Sequence, residues 1–286
     1  MFKNIHGKQK NKKWKVIITK YYVVSDVHGF NMFLQDELRA KGFFEDEENK
    51  LILCGDAFDR GGEAVRLEQF LMKLYNEKRL IYIRGNHEDL MLAFIREFME
   101  EKSAIFSGES YHVKNGTFKT ATQLAKIESY LEPFQEPEKF LEKLKNSDYV
   151  KTLIPSTVDY FETKNHIFTH GFIPTIQKDL EYIYNPDWRQ ATPEEWNKSR
   201  WDNGMKISAL YDVYEPDKKI VTGHWHASYG HSVIEGKGTQ FGKEADFSPF
   251  ETEHLLSIDA CTAYSHKVNC LVIEEPSEKR EKSEES

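Results

Sequence analysis

Cysteine is scarce in this chain, and long apolar runs are missing. Its three cysteines, Cys54, Cys261 and Cys270, form no CxxC pair, and Cys54 and Cys270 lie inside apolar runs of strand type. Neither a disulfide framework nor a thiolate metal site is expected, and a reducing cytoplasm fits best. No run of about 18 apolar residues occurs, and the basic N-terminus leads into no apolar stretch with a small-residue cleavage site. A membrane span and a secretory signal are therefore not expected. Acid is absent from the first 20 residues, which carry seven lysines, so with a formal net charge of -8 the rest is more acidic than the total suggests. Long nucleic acid is disfavoured as a partner on that ground. Residues 1–20 read as a basic, solvated arm, and residues 274–286, Glu, Lys and Ser around Pro276, as a disordered tail. No internal repeat is visible.

What the chain does hold is 39% apolar and 13% aromatic residues over 286 positions, enough for a sizeable core. Short apolar runs at Tyr21 to Ser25, Leu51 to Cys54 and Leu80 to Arg84 alternate with helix-like stretches at Asn31 to Ala40 and Glu63 to Asn76. This β-α-β-α-β pattern predicts an α/β fold, and Asp26, Asp56 and Asn86 follow the three strands at equal spacing. They line one sheet edge, the edge where ligands bind in open parallel sheets. A helix is expected from Asn86 to about Glu100. The polar, helix-prone stretch 102–156, interrupted by Pro133 and Pro137, reads as an inserted cap, and 175–219 as a second insertion. Within the latter, Thr192, Pro193 and Glu195 have the pattern of an N-cap, first helical position and capping box. Its tryptophans Trp188, Trp196 and Trp201 read as packing. Further strands are expected at Val158 to Glu162, His166 to Thr169, Ile220 to Thr222, Leu255 to Asp259 and Val268 to Ile273, the last two forming a hairpin. Residues 21–273 thus read as a single domain.

Five segments carry candidate chemistry: Ser25-Asp26-Val27-His28-Gly29, Gly55-Asp56-Ala57-Phe58-Asp59-Arg60-Gly61, Arg84-Gly85-Asn86-His87-Glu88, Thr169-His170-Gly171 and Gly223-His224-Trp225-His226. One Asp-x-His alone would more often be a strand-end Asp capping the next helix. Five strand-end segments, each with a glycine where the backbone turns away, point to a ligand constellation. Carboxylate, amide and imidazole donors without thiolate suit Mn, Fe or Zn better than Ca or Mg. Asp56 is the candidate to bridge two ions, which in such sites lie about 3.5–4 Å apart.

In these five motifs and their order the sequence resembles the calcineurin-like metallophosphoesterase superfamily, from about Tyr21 to Ile273. The strings GDAFDRG, RGNHED and SIDACTAYSHKVNCLVI look more like its phosphoprotein-phosphatase branch, which includes bacterial serine/threonine phosphatases and symmetrical dinucleoside tetraphosphatases. The resemblance implies two facing mixed β-sheets flanked by helices, with helical insertions as a partial cap, and two divalent or trivalent transition-metal ions (Mn, Fe or Zn). Asp26, His28 and Asp56 would hold the first metal, and Asp56, Asn86, His170 and His224 the second. His226 would join the first, a departure from the branch, which commonly has another residue there. His87 would protonate the leaving oxygen, oriented by Asp59, as a carboxylate on one ring nitrogen fixes the tautomer and raises the imidazole pKa. Arg60 would grip phosphate, with Arg200 a candidate second phosphate arginine and Arg84 an equal candidate for a structural ion pair.

The expected activity is hydrolysis of a phosphate ester by a metal-bridging hydroxide without a covalent intermediate, first as a phosphomonoesterase of protein serine/threonine phosphatase type. A symmetrical dinucleoside tetraphosphatase or phosphodiesterase is the alternative within enzymes, and a non-catalytic metal-binding scaffold the alternative outside them. The expected partner is a phosphorylated substrate, phosphopeptide or nucleotide. A rim tryptophan, Trp188, Trp201 or Trp225, stacked on a base would mark the nucleotide reading.

Overall fold

Apolar side chains on both faces of each early strand require cover on both sides, and the fold supplies it. The computed structural model describes residues 14–282. Strands β1 (Trp14–Val24), β2 (Lys50–Cys54) and β3 (Leu80–Ile83) run parallel, with Val23 opposite Ile52 and Ile52 opposite Ile81. Helices α1 (Asn31–Ala40) and α2 (Ala64–Asn76) connect them. After β3 come α3 (Asn86–Ser107), longer than expected, then α4 (Tyr111–Lys114), α5 (Thr117–Leu124), α6 (Glu132–Gln135) and α7 (Pro137–Lys145). The chain continues through β4 (Phe161–Glu162), β5 (His166–Phe168) and a small hairpin of β6 (Ile176–Lys178) and β7 (Glu181–Ile183). Helices α8 (Pro193–Ser199) and α9 (Gly204–Tyr211) precede β8 (Lys219–Thr222), β9 (Phe250–Glu251), β10 (Leu255–Ser257) and β11 (Leu271–Lys282). One sheet has the order β11-β1-β2-β3, the other β4-β5-β8-β10-β9. Both are mixed: β11 is antiparallel to β1, and β4 and β9 are antiparallel to their neighbours.

The side-chain alternation of the strands divides the core. Val23, Ile52 and Ile83 meet Phe168, Val221 and Ile258 between the sheets. The intervening Val24, Leu51 and Leu53 face the helices with Leu34, Leu38, Leu67 and Leu71. Burial on both faces is why these strands read as unbroken apolar runs. A third group, around Trp188, Trp196, Phe172 and Phe250, covers the outer face of the second sheet. Trp188 is fully buried and donates its indole N–H to Glu215 at 2.9 Å, so of the three rim candidates it is excluded by burial. The capping box read from Thr192 and Glu195 is present, with Thr192 N donating to Glu195 at 2.7 Å.

Two sequence expectations are corrected. Strands β10 and β11 are not a hairpin: β10 pairs with β8 and β9 in one sheet, β11 with β1 in the other. The polar segment between them crosses the end of the sandwich instead of turning tightly. Residues 14–20 and 274–282, expected as arm and tail, pair with each other, Thr19 opposite Glu275 and Trp14 opposite Lys282. The rest of those two calls, 1–13 and 283–286, lies outside the described residues.

The first insertion is built into the helix-side core: Ile105, Leu124, Phe140, Leu144, Tyr149 and Leu153 all belong to it. Phe140 is fully buried, with ring centroids 5.1 Å from Phe98 and 6.3 Å from Phe94. Replacing Phe140 with Ala should therefore destabilise the whole fold by about 3–5 kcal/mol, read as a lower urea midpoint for the global transition. An unchanged global midpoint would mean that the insertion unfolds as a separate cap.

Candidate metal centre

At the carboxyl ends of the parallel strands the chain places its ligand candidates on strained turns. Asp26, His28, Asp56, Asp59, Arg60 and His224 all have positive φ, between 51° and 75°. Non-glycine residues seldom adopt this region, and it persists where the surroundings over-determine it. Part of that determination is lateral: Asp26 N donates to Gly55 O and His28 N to Asp56 O, at 3.2 and 3.0 Å, locking the first two turns together. The close approach also explains the glycines. A Cβ on Gly85 would strike the Asp56 carboxylate, and one on Gly223 would strike Ser25 and Asp26.

Asp56 is central. It is 2% exposed, and it belongs to two clusters of donor atoms, one with His28 and His87, the other with His170 and His224. Its Oδ1 lies 3.4 Å from His170 Nε2, and its Oδ2 lies 3.8 Å from His87 Nε2. Asn86 Oδ1 is 2.8 Å from His170 Nε2. Asp26 Oδ1 stands 3.9 Å from His28 Nε2, while its Oδ2 accepts from His224 N at 2.9 Å. Thus Asp26, His28, Asp56, Asn86, His170 and His224 converge at one end of the sandwich. His226, expected on the first metal, does not join either cluster. Its Nδ1 is 2.7 Å from Ser228 Oγ, and its ring packs on Phe241 at 4.8 Å. Being two residues beyond His224 does not suffice, because the chain turns into a short helix, Ala227–Tyr229, at that point.

The histidines are oriented for cations. Nδ1 of His28 faces the Phe58 carbonyl at 3.0 Å, and Nδ1 of His170 faces the Cys54 carbonyl at 2.8 Å. Each carbonyl calls for N–H at Nδ1, which leaves Nε2 to the cluster, the arrangement that prepares imidazole for metal. Among the described residues, Nε2 of His170 faces oxygens of Asn86 and Asp56, an arrangement that suits a proton or a metal ion between them. Burial opposes protonation of His170, but the Asp56 carboxylate outweighs it and pushes the pKa up to about 10. Burial also opposes ionisation of Asp56, and the His170 and His87 charges overcome it, holding the carboxyl well below its usual value. Burial pushes Asp26 up to about 6 against the His170 charge, and burial with His170 pushes His224 down to about 3. At His28, Arg60 supplies the cation: Arg60 Nη1 is 2.8 Å from His28 Nε2 and Nη2 is 3.2 Å from His87 Nε2. A site that raises the pKa of two histidines, His170 and His87, and draws a guanidinium to His28 is short of positive charge, and its oxygen and imidazole donors fit a pair of transition-metal ions.

His87 Nδ1 is bonded to Asp59 Oδ2 at 2.7 Å, with both groups buried. Burial lowers the imidazole pKa, but Asp56 and then Asp59 raise it further, for a net upward shift. Arg200 is placed differently from expectation: it is 6% exposed, and its two Nη groups reach Asp89 and Asp159 at 2.8 Å each. Asp89 also pairs with Arg84 at 2.9 Å. Both arginines are therefore engaged in ion pairs, which opposes the phosphate role for Arg200.

Two site residues were given no role from the sequence. Glu88 accepts from the backbone N–H groups of Asp56 (3.0 Å), Ala57 (3.3 Å) and Gly85 (2.7 Å) and from the Tyr82 hydroxyl at 2.6 Å, tying the second ligand turn to the third. Its signal was the capping-box spacing of Glu88 three residues after Gly85. Asp259 is 5% exposed and accepts from Cys261 N at 2.6 Å, and burial together with the Asp26 charge holds its carboxyl well above the usual range. It is a further buried acid beside Asp26, and its sequence signal is the string SIDACTAYSHKVNCLVI, in which it is the third residue.

This geometry brings two sets of candidate metal donors together around Asp56 at one end of an α/β sandwich. Residues 19–253 match the model of the calcineurin-like phosphoesterases, and the chain belongs to that family. It is similar to the symmetrical bis(5'-nucleosyl)-tetraphosphatase of Buchnera aphidicola subsp. Schizaphis graminum, 30% identical over 98 residues, 33% of each chain. It is also similar to the asymmetrical bis(5'-nucleosyl)-tetraphosphatase PrpE of Bacillus velezensis, 24% identical over 114 residues, 37% of this chain and 41% of the relative. These matches span about a third to two fifths of the curated relatives' length. Among solved structures, a cold-active protein-tyrosine phosphatase of a psychrophilic Shewanella aligns with 92% of this chain and 80% of its own, with 16% identity and a TM-score of 0.48.

Metal-loaded protein should contain about two transition-metal ions per chain by elemental analysis. Asp56→Asn should lower that content more than any other single ligand change, since one carboxylate serves both clusters. Fewer than one ion after reconstitution of the wild type would rule out the pair.

Proposed function

We propose that the chain hydrolyses phosphate esters or anhydrides by direct displacement at phosphorus. The observation that carries this reading is the Asp56 carboxylate common to two donor clusters, with Arg60 and the His87–Asp59 pair beside it. Two transition-metal ions held by Asp26, His28, Asp56, Asn86, His170 and His224 would supply water activation and charge neutralisation there. The chain's own residues do the rest. Arg60 presents two Nη groups to the cluster, suited to paired phosphate oxygens. His87, its Nδ1 committed to Asp59, keeps Nε2 to hold a proton for the departing oxygen. With every ligand position filled by a competent donor, an enzyme is favoured over a non-catalytic scaffold.

For substrate, the nucleotide reading now takes precedence over a phosphomonoesterase of protein serine/threonine phosphatase type. Trp201 and Trp225 are 42% and 37% exposed, and their rings lie 5.9 and 6.4 Å from the His224 ring. Such rings can stack on a base, and both curated relatives are named as tetraphosphatases of dinucleosides. The strings GDAFDRG and RGNHED are common to both readings, and the protein-phosphatase reading uses the same groups. A panel of dinucleoside tetraphosphates, phosphopeptides, cyclic nucleotides and an aryl phosphate, with Mn²⁺ added, separates the two. Trp201→Ala or Trp225→Ala should raise KM for the dinucleoside substrate roughly tenfold, from a stacking contribution of about 1–3 kcal/mol, and leave the aryl phosphate unaffected. Equal effects on both substrates would remove the base-stacking argument.

His87→Asn should keep its metals and lose about 10²–10⁴-fold in kcat on a poor leaving group such as an alkyl phosphate. The loss should shrink on an aryl phosphate with an acidic phenol. Loss of metal in this variant would place His87 among the ligands.

A further inference from the structure

The turn that carries Asp59 and Arg60 is held on one side by the first ligand turn, where Gly61 N donates to His28 O at 2.8 Å. It is also gripped by α5, a helix of the first insertion. Asp59 N donates to Thr120 Oγ1 at 2.9 Å, Lys119 Nζ donates to Arg60 O at 2.9 Å, and Gln123 Nε2 donates to Gly61 O at 3.2 Å. Gln123 Oε1 in turn accepts from Ala64 N at 3.0 Å. Gly116, which precedes the helix with φ +85°, lies so close to the Arg60 backbone that a Cβ there would strike its nitrogen. Most directly, Thr117 Oγ1 donates to Asp59 Oδ2 at 2.8 Å, the same oxygen that faces His87 Nδ1. Thr117 is fully buried, and the other Asp59 oxygen has no protein partner among the described residues.

We infer that Thr117 is a positioning residue for the reaction, its hydroxyl fixing the Asp59 carboxylate and thereby the His87 ring. The inference rests on the role proposed above for His87. Two donors converging on one oxygen define the carboxylate plane. With Thr117 removed, the Asp59 carboxylate keeps the His87 bond alone among the described residues, so its plane is free to turn and the ring it holds loses part of its fixed direction toward the leaving oxygen. The same helix anchors the Arg60 backbone, so the insertion positions two of the groups proposed to act on substrate.

The test compares Thr117→Val and Thr117→Ser with the wild type, with Thr117→Ala replacing the valine variant if that chain does not fold. In the metal-free protein, the His87 Nδ1–H proton resonance, assigned by its absence in His87→Asn, should be shifted or broadened by Thr117→Val and kept by Thr117→Ser. In the Mn²⁺-loaded protein, Thr117→Val should lower kcat on an alkyl phosphate roughly tenfold, with KM changed less than about twofold and a smaller loss on an acidic aryl phosphate, and Thr117→Ser should restore kcat. A merely structural role would lower stability without altering dependence on the leaving group. An unchanged resonance, or an active valine variant with wild-type leaving-group dependence, overturns the inference. A wild type that hydrolyses none of the substrates refutes the function instead, and the resonance comparison still decides the role of Thr117.

Discussion

Everything at the functional end of this protein depends on the buried Asp56 carboxylate, which pairs with histidines and, among the described residues, with no lysine or arginine. Asp56 sits among His28, His87, His170 and His224, in a region where Asp26 and Asp259 are also buried. A charge withdrawn from water needs compensation. Here it comes from the His170 and His87 imidazoles, whose pKa values are raised beside it. Both compensations depend on bound protons, and a pair of metal ions would replace them with fixed charges.

Such a cluster can exist only if its backbone is prevented from relaxing. Six left-handed non-glycine residues mark the strain. The restraints against it are mostly backbone bonds between adjacent turns and the Glu88 carboxylate, which gathers donors from two turns at once. A buried carboxylate with several donors is stable where it stands and costly to move. The parallel strands provide the platform, since they start all three turns from one sheet edge.

The first insertion has a part in this as large as that of the strands. Its apolar side chains complete the helix-side core, and its polar ones reach inward to Asp59 and Arg60. Tyr149, from the end of the same insertion, packs its ring at a tilt on Phe58, centroids 4.0 Å apart, and its hydroxyl lies 3.4 Å from Glu88. Stability and site geometry are thus coupled through one segment, which a description as a cap does not convey.

The sequence by itself determined the parallel β-α-β-α-β unit, the even spacing that sets Asp26, Asp56 and Asn86 on one edge, the motifs of the donor set and the Thr192 capping box. These are legible because period, turn glycines and caps are local: each depends on residues within a few positions of one another. What only the tertiary structure decided involves partners far apart in sequence. That Leu255–Ser257 and Leu271–Lys282 join different sheets followed from which edges were open, not from the turn between them. His226 left the cluster because Ser228 and Phe241 hold its ring, Arg200 was claimed by Asp89 and Asp159, and Trp188 was taken into the core. Thr117 gains its place only because the fold brings it across 58 positions to Asp59. A side chain's hydrogen-bond partner is fixed by proximity in space, and for these residues nothing in the neighbouring sequence encodes that proximity.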